Sequence, residues 1–175
     1  MINNNINVQS VSRTQLAELT YISRKTFLDA FAHMNNPDDL TAFLTNHLTN
    51  ESLSIEMADP NSEFYFAMED SGPIAYLKVN TGDAQTELKH NDGLEIERIY
   101  VLKNHQGKKL GHRLIAEAIK MARQKDKTYV WLGVWERNAD AIRFYQHNGF
   151  AIFDKHEFKI GNDNQTDLMM KLKLD

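Results

Sequence analysis

The sequence contains no cysteine among its 175 residues. This absence excludes a disulfide framework, a zinc site built from thiolates and a cysteine nucleophile. The chain also lacks any apolar run approaching roughly 18 residues, so no membrane-spanning helix is expected. The first twelve residues show no basic region followed by an apolar run. We therefore expect no signal peptide and a cytoplasmic location.

The length and composition of the chain are those of one domain. With 42% hydrophobic residues it can bury a core of ordinary size, and we expect a single domain over residues 1–175. Periodic apolar positions predict helices that alternate with mostly antiparallel strands. Such elements form a mixed α/β fold with three layers.

The apolar spacing also predicts the order of the elements. Strands are expected at 6–10, 64–68, 74–79, 94–102, 128–135, 150–160 and 166–174. Helices are expected at 13–32, 37–47, 110–124 and 139–148. The polar stretch 81–93 is predicted to be a loop, and the last two strands are predicted to form a hairpin across the turn 161–163. The nearly continuous apolar run at 128–135 indicates a buried central strand.

The net charge of −4 conceals a strong asymmetry along the chain. Residues 1–97 carry 15 acidic and 5 basic side chains, whereas residues 98–125 carry 8 basic side chains and 1 acidic one. A local positive field suits an anionic cofactor, and the acidic remainder suits a cationic substrate. A solvated helix face rich in Lys and Arg is the simpler alternative for the basic block. A chain this acidic is a poor partner for nucleic acid.

The stretch 94–111, LEIERIYVLKNHQGKKLG, predicts a strand that leads into a basic loop and then a helix. Successive amides of the loop 106–111 can converge on phosphate oxygens, and the helix start adds its positive dipole end. Gly107 and Gly111 remove side chains where a ligand or a neighbouring backbone comes close. An ordinary turn between a strand and a helix is the alternative reading of this loop.

The second motif is the stretch 138–150, NADAIRFYQHNGF, which follows the predicted central strand. Asn138 is suited to cap the helix, and Tyr145 lies two turns later on roughly the same face. A tyrosine near a cofactor can donate its phenolic proton, with packing in the core as the alternative. Upstream, Glu95 and Glu97 lie on one side of their strand, where a carboxylate can take a proton or pair with a neighbouring cation.

Together the two motifs resemble the GNAT family, the GCN5-related N-acetyltransferases. The second motif meets the family pattern N-x-x-A-x-x-F-Y-x-x-x-G-F at Asn138, Ala141, Phe144, Tyr145, Gly149 and Phe150. The family's loop pattern Q/R-x-x-G-x-G/A has its first glycine where this chain has Lys109, which costs roughly 1 kcal/mol or more if φ is positive there. Segments such as E-R-I-Y-V and W-L-G-V-W-E-x-N are similar to bacterial polyamine N-acetyltransferases of the PaiA type.

The resemblance implies a GNAT-like α/β/α fold with a splayed, mostly antiparallel sheet, and acetyl-CoA as the cosubstrate. Pantetheine would insert between the strands at 99–101 and 128–134, with the diphosphate on the loop amides. The implied cofactor contacts are Ile99, Tyr100, Val101, Gln106, Gly107, Lys108, Lys109, Leu110, Gly111, His112, Asn138 and Tyr145. The implied base is Glu97 as first choice or Glu95 as second, and the implied acid is Tyr145. No metal is expected.

For the acceptor, the acidic first half and the PaiA-like segments favour spermidine or spermine. Asp29, Asp38 and Asp39 are further carboxylates that could bind a polyamine, with helix capping and solvation as the alternative. Other open readings are acetylation of a protein N-terminus, a lysine or another small amine, and a non-catalytic acyl-CoA-binding regulator. We expect no nucleic-acid or membrane partner, and a homodimer is left open.

Overall fold

The structure, a computed structural model, describes residues 6–160 and 163–175. The helices in these residues are α1 (Leu16–Phe31), α2 (Pro37–His47), α3 (Asn50–Ala58), α4 (Leu110–Gln124) and α5 (Ala139–His147). The strands are β1 (Asn7–Ser10), β2 (Ser62–Glu69), β3 (Gly72–Asn80), β4 (Gly93–Val101), β5 (Tyr129–Trp135), β6 (Ala151–Ile160) and β7 (Asp163–Lys173). Short 3₁₀ turns lie at Arg13–Gln15, Gly82–Ala84 and Lys103–His105.

Within the described ranges the strands form one seven-stranded sheet in the order β1-β2-β3-β4-β5-β7-β6. Neighbouring strands are antiparallel, except that β4 and β5 are parallel. Parallel neighbours need a crossover connection, and α4 supplies it. β5 lies inside the sheet, so the prediction of a central strand from its apolar run is confirmed.

A hydrophobic core covers each face of the sheet. On one face, α4 and α5 contribute buried residues such as Leu114 and Tyr145. On the other face, α1, α2 and α3 contribute Leu19, Leu40 and Leu53. The predicted three-layer mixed α/β fold is therefore confirmed.

Most element bounds differ from the predictions by one to three residues, and two differences are larger in kind. α1 begins after a 3₁₀ turn, in which Ser12 and Gln15 form a capping box. α3 was not predicted, because Leu53 is its one buried residue among those described and the apolar periodicity is weak. Its start is instead marked by a capping box between Thr49 and Ser52. The central residues of the predicted turn, 161–162, lie outside the described residues.

A β-bulge in β4 shapes the middle of the sheet. Lys78 of β3 pairs with Arg98, but the next residue, Val79, pairs with Ile96, so Glu97 is the extra residue of β4. Bulges increase the local twist and redirect a strand. Between β4 and β5 the pairing recorded in the described chain stops at Glu95 and Trp131. The two strands therefore diverge after this point, and the predicted splay is present.

Candidate active site

A cleft of about 770 Å³ opens where β4 and β5 diverge. It extends from the loop before α4, past the C-terminal half of β4, to the carboxylates of Glu95 and Glu97. Among the described residues, Lys108 is the one predicted catalytic or cofactor-binding residue outside the cleft lining. The predicted residues that line it are Glu95, Glu97, Ile99, Tyr100, Val101, Gln106, Gly107, Lys109, Leu110, Gly111, His112, Asn138 and Tyr145.

The loop before α4 presents backbone amides to the cleft. Gly107 has φ +77° and Lys109 has φ +60°, so the chain turns twice through the left-handed region. The first amides of a helix have no partner within it. In the described part of the chain, no backbone carbonyl accepts from the amides of residues 107–112. These amides, with the helix dipole behind them, can bind an anion such as a diphosphate.

Lys109 adopts the left-handed conformation at the position where the family pattern has glycine. Its φ of +60° and ψ of +18° cost a residue with a Cβ about 1–2 kcal/mol. The positive φ on which the predicted cost at Lys109 depends is therefore present, and Lys109 is strained at the N-cap of α4. Its ammonium group adds positive charge beside the loop amides.

The diverging edge of β4 is open to a ligand. On its other side, β4 is paired with β3 through Ile99, Tyr100 and Val101. Toward β5, the described residues show no pairing of this segment. An extended ligand can therefore pair with the free backbone groups of β4 in the manner of an added strand.

Tyr145 lies in α5 beneath the cleft and is 9% exposed. Its ring packs between those of Phe144 and Phe150, at centroid distances of 5.3 and 6.0 Å. Burial raises the pKa of Tyr145 above its usual value, so the phenol keeps its proton at neutral pH. The helix that carries it is capped, as predicted, by Asn138, whose side chain accepts from the Ala141 amide at 3.1 Å.

Glu97 is held by two cations. Lys78 Nζ lies 2.5 Å and Arg98 Nη2 lies 3.0 Å from its carboxylate, and Asn80 Nδ2 donates to it at 2.6 Å. Burial would raise the pKa of Glu97, but Arg98 and Lys78 outweigh burial and lower it. The Glu97 carboxylate therefore stays ionised and is a weak base.

Glu95 has the opposite environment. It is 3% exposed and accepts hydrogen bonds from Asn80 Nδ2 at 3.0 Å, Thr86 N at 2.9 Å and Thr86 Oγ1 at 2.5 Å. Burial raises the pKa of Glu95, even though the bonds from Thr86 and Asn80 act to lower it. A carboxylate with a raised pKa is the stronger base when ionised.

The environment of both carboxylates depends on residues that sequence reasoning missed. Glu56 of α3 accepts two bonds from the Arg98 guanidinium, at 2.8 and 3.0 Å, and pairs with Lys78 at 2.8 Å. Asn80 bridges Glu95 and Glu97. Glu56 is 42 positions from Arg98, and the sequence carries no sign that the two meet.

The far end of the cleft holds a second group of polar residues that sequence reasoning missed. Glu87, His156 and Asp167 line it, and His156 Nε2 lies 2.9 Å from Glu87 Oε1. Burial raises the pKa of Asp167 to about 6, with His156 lowering it and Glu87 raising it.

The three carboxylates of the first half named as candidates for acceptor binding lie elsewhere. Asp29 pairs with Lys25 at 2.6 Å, and Asp38 and Asp39 lie in the first turn of α2. In the described structure none of the three lines the cleft. Their positions match the alternative of capping and solvation.

Two kinds of feature are absent from the described residues. No group of three or more His, Asp or Glu side chains there is arranged to hold a metal ion. No helix in the same residues combines the length and the apolar character needed to cross a membrane.

Comparison with known proteins gives the chain its family. The acetyltransferase (GNAT) family model matches residues 24–150. An uncharacterized N-acetyltransferase in the pepI 3′ region of Lactobacillus delbrueckii subsp. lactis is 41% identical over 169 residues, which cover 97% of this chain and 98% of that protein. A spermidine N(1)-acetyltransferase from Thermoplasma acidophilum is 24% identical over 153 residues, covering 85% of this chain and 90% of that protein.

A solved structure supports the fold assignment. The PaiA N-acetyltransferase from Thermoplasma acidophilum in complex with coenzyme A superposes with a TM-score of 0.79 at 22% identity, covering 97% of this chain and 99% of that one. The GNAT-like fold expected from the two motifs is confirmed. The chain belongs to the GNAT family and is an N-acetyltransferase whose acetyl donor is acetyl-CoA.

Proposed function

We propose that the protein acetylates a primary amine of a small polyamine, spermidine or spermine, by direct attack on acetyl-CoA in a ternary complex. The observation that carries this proposal is the single cleft that joins the loop amides, Tyr145 and Glu95. A donor thioester and an acceptor amine can meet in such a cleft without a covalent enzyme intermediate. The absence of cysteine agrees with direct transfer.

The donor is bound by the loop and by β4. The amides of residues 106–112 hold the diphosphate, and Lys109 adds charge beside it. Pantetheine lies along residues 99–101 and pairs with their free backbone groups. The amides around Val101 polarise the thioester carbonyl and stabilise the oxyanion that forms when the amine attacks.

The base is Glu95 in this proposal, with Glu97 as the group that keeps β4 in place. An amine of the lysine type has a pKa of about 10.4 and must lose a proton before it attacks. The raised pKa of Glu95 favours it as the acceptor of that proton. Glu97 was the first choice from the sequence, but its ion pairs with Lys78 and Arg98 reduce its basicity.

Tyr145 is the acid. The amine nitrogen forms a C–N bond with the carbonyl carbon, and the C–S bond then breaks. The leaving thiolate takes the phenolic proton, which the raised pKa of Tyr145 keeps in place at neutral pH. The nitrogen of the new amide gives its extra proton to the tyrosinate, which restores the phenol.

The acceptor is bound at the acidic end of the cleft. Glu87 and Asp167 supply carboxylates there for a second ammonium group. The relationship to a spermidine N(1)-acetyltransferase and the PaiA-like segments also support a polyamine as the acceptor. A cytoplasmic location stays a prediction.

Thiol release from acetyl-CoA across a panel of amines tests the proposal. Spermidine or spermine should be acetylated with a higher kcat/KM than any peptide or monoamine. Faster acetylation of peptides would instead favour a protein N-terminus or lysine as the acceptor. Coenzyme A binding without turnover of any amine would favour an acyl-CoA-binding regulator.

A further inference from the structure

The loop between β3 and β4 is anchored beside the cleft by a buried amide. Gln85 is 1% exposed, and Trp131 Nε1 donates to its Oε1 at 2.7 Å. Gln85 Nε2 donates in turn to the carbonyls of Gly82 and His90, at 3.2 and 2.9 Å. These bonds fix the loop to β5 and fix the position of the next residue, Thr86.

Thr86 and Glu95 both line the cleft and are hydrogen-bonded to each other. Its amide donates to one Glu95 oxygen at 2.9 Å and its hydroxyl donates to the other at 2.5 Å. Thr86 is exposed and lines the cleft, whereas Glu95 is 3% exposed. An acceptor in the cleft therefore meets the threonine hydroxyl more readily than the more deeply buried carboxylate.

The donors around Glu95 differ in what they can do with a proton. Asn80 Nδ2 donates to Glu95 while Asn80 Oδ1 accepts from Ser62 Oγ at 2.8 Å, so this amide is fixed as a donor. A backbone amide can also only donate. Of the donors to Glu95 among the described residues, the Thr86 hydroxyl is the one that can accept a proton while giving its own.

We propose that the Thr86 hydroxyl relays the proton of the acceptor ammonium to Glu95. This inference rests on the proposed function and adds a residue to it. The ammonium gives a proton to Thr86 Oγ1, and the hydroxyl proton passes to Glu95, which becomes a neutral acid. The freed amine then attacks the thioester, and Glu95 releases its proton to solvent after the product leaves. The charged neighbour that faces Glu95 is Glu97, whose charge is balanced by Lys78 and Arg98.

The test compares Thr86→Val with Thr86→Ser in the full chain. Valine keeps the shape and the backbone bond to Glu95 but removes the hydroxyl, so kcat at neutral pH should fall roughly 10- to 100-fold. Serine restores the hydroxyl and should stay within about 3-fold of the wild type. The valine loss should shrink at alkaline pH, where solvent deprotonates more of the amine. Thr81→Val, in the same loop and outside the cleft lining, is the matched control.

Three results would overturn the relay. They are a valine variant with wild-type kcat, a serine variant as impaired as valine, and a valine loss that is constant with pH. The melting temperatures of the variants distinguish a catalytic effect from a folding defect. If Thr86→Val lowers the melting temperature, Thr86→Ala takes its place in the comparison. Failure of the proposed function looks different, because the wild type itself would then release no thiol with any amine.

Discussion

Gly111 and Phe144 fit against each other so closely that a side chain on the glycine would collide with the ring. A Cβ built on Gly111 would lie 2.8 Å from Phe144 Cζ. Gly111 belongs to the loop motif and Phe144 to the second motif, so the two motifs form one packed unit. The same ring lies 5.3 Å from that of Tyr145, measured between centroids. The loop proposed to bind the donor thereby also helps to set the position of the proposed acid.

Gly111→Ala should disturb this packing. The Phe144 ring must move, and we expect a loss of about 1–3 kcal/mol in the free energy of unfolding together with a lower kcat. Thermal unfolding and thiol release measure the two effects. Adding Phe144→Leu to the Gly111→Ala variant replaces the ring with a smaller side chain and should recover part of the lost stability. An alanine variant with wild-type stability and no coupling to position 144 would contradict the contact.

Tyr145→Phe should remove the proposed acid without changing the fold. The ring contacts remain, but no phenolic proton is available for the leaving thiolate, and kcat should fall about 10²- to 10⁴-fold. The Kd of coenzyme A, measured by calorimetry, should stay unchanged. Tyr65→Phe is the control, because Tyr65 donates to Glu63 outside the cleft. Equal kcat in the two variants would remove Tyr145 from the mechanism.

Glu95→Gln and Glu97→Gln should separate catalysis from stability. Glu95→Gln should fold normally and lose most of its kcat, since the proposed base is gone. Glu97→Gln leaves Glu56 as the remaining charged partner of Lys78 and Arg98 and should lower the free energy of unfolding by about 1–3 kcal/mol. Urea unfolding measures the stability of the two variants, and thiol release from acetyl-CoA measures their kcat. A catalytic loss confined to Glu97→Gln would reverse the proposed roles.

The pH dependence of the same variants follows from the two pKa shifts. Glu95 must be ionised to act, so kcat/KM should rise with pH through its raised pKa, and Glu95→Gln should lose this step. The lowered pKa of Glu97 stabilises the folded state at pH values above the unfolded pKa of glutamate, which is about 4.3. This stabilisation is lost as the pH falls through the pKa that Glu97 has in the folded state. The free energy of unfolding of Glu97→Gln should therefore fall less steeply than that of the wild type as the pH is lowered.

Lys109→Gly should stabilise the protein. Glycine adopts φ +60° without the Cβ penalty, and we expect a gain of about 1 kcal/mol in the free energy of unfolding. Lys108→Gly removes the same charge at a position without positive φ and should be neutral or destabilising. Both variants should weaken coenzyme A binding at low salt if the lysines add charge near the diphosphate. Equal melting temperatures in the two variants would argue against strain at Lys109.

Much of the fold was predictable because its elements carry strong local patterns. The bounds of α4 follow from apolar residues on one face, and those of β5 follow from its continuous apolar run to within one residue. The family pattern indicated where the loop and Tyr145 lie. α3 could not be predicted in this way, since among the described residues it buries Leu53 alone.

The chemistry of the carboxylates was beyond local patterns. The alternation of side chains along a strand predicts that Glu95 and Glu97 lie on one side of β4. It does not predict the bulge at Glu97 or the cations that pair with its carboxylate. Their pKa values shift in opposite directions because burial dominates at Glu95, whereas Arg98 and Lys78 outweigh burial at Glu97. Lys78, Asn80 and Thr86, which contact the two carboxylates, come from segments outside β4. Such long-range contacts have no periodicity in the sequence. These contacts favour Glu95 over Glu97 as the base, the reverse of the order predicted from sequence.

The most direct test of the account is a crystal structure of the protein with coenzyme A bound. We predict the diphosphate within about 3 Å of the backbone amides of residues 106–112, pantetheine along Val101, and the sulfur facing the Tyr145 hydroxyl. A diphosphate bound elsewhere, or a Tyr145 hydroxyl that points away from the sulfur, would contradict the account.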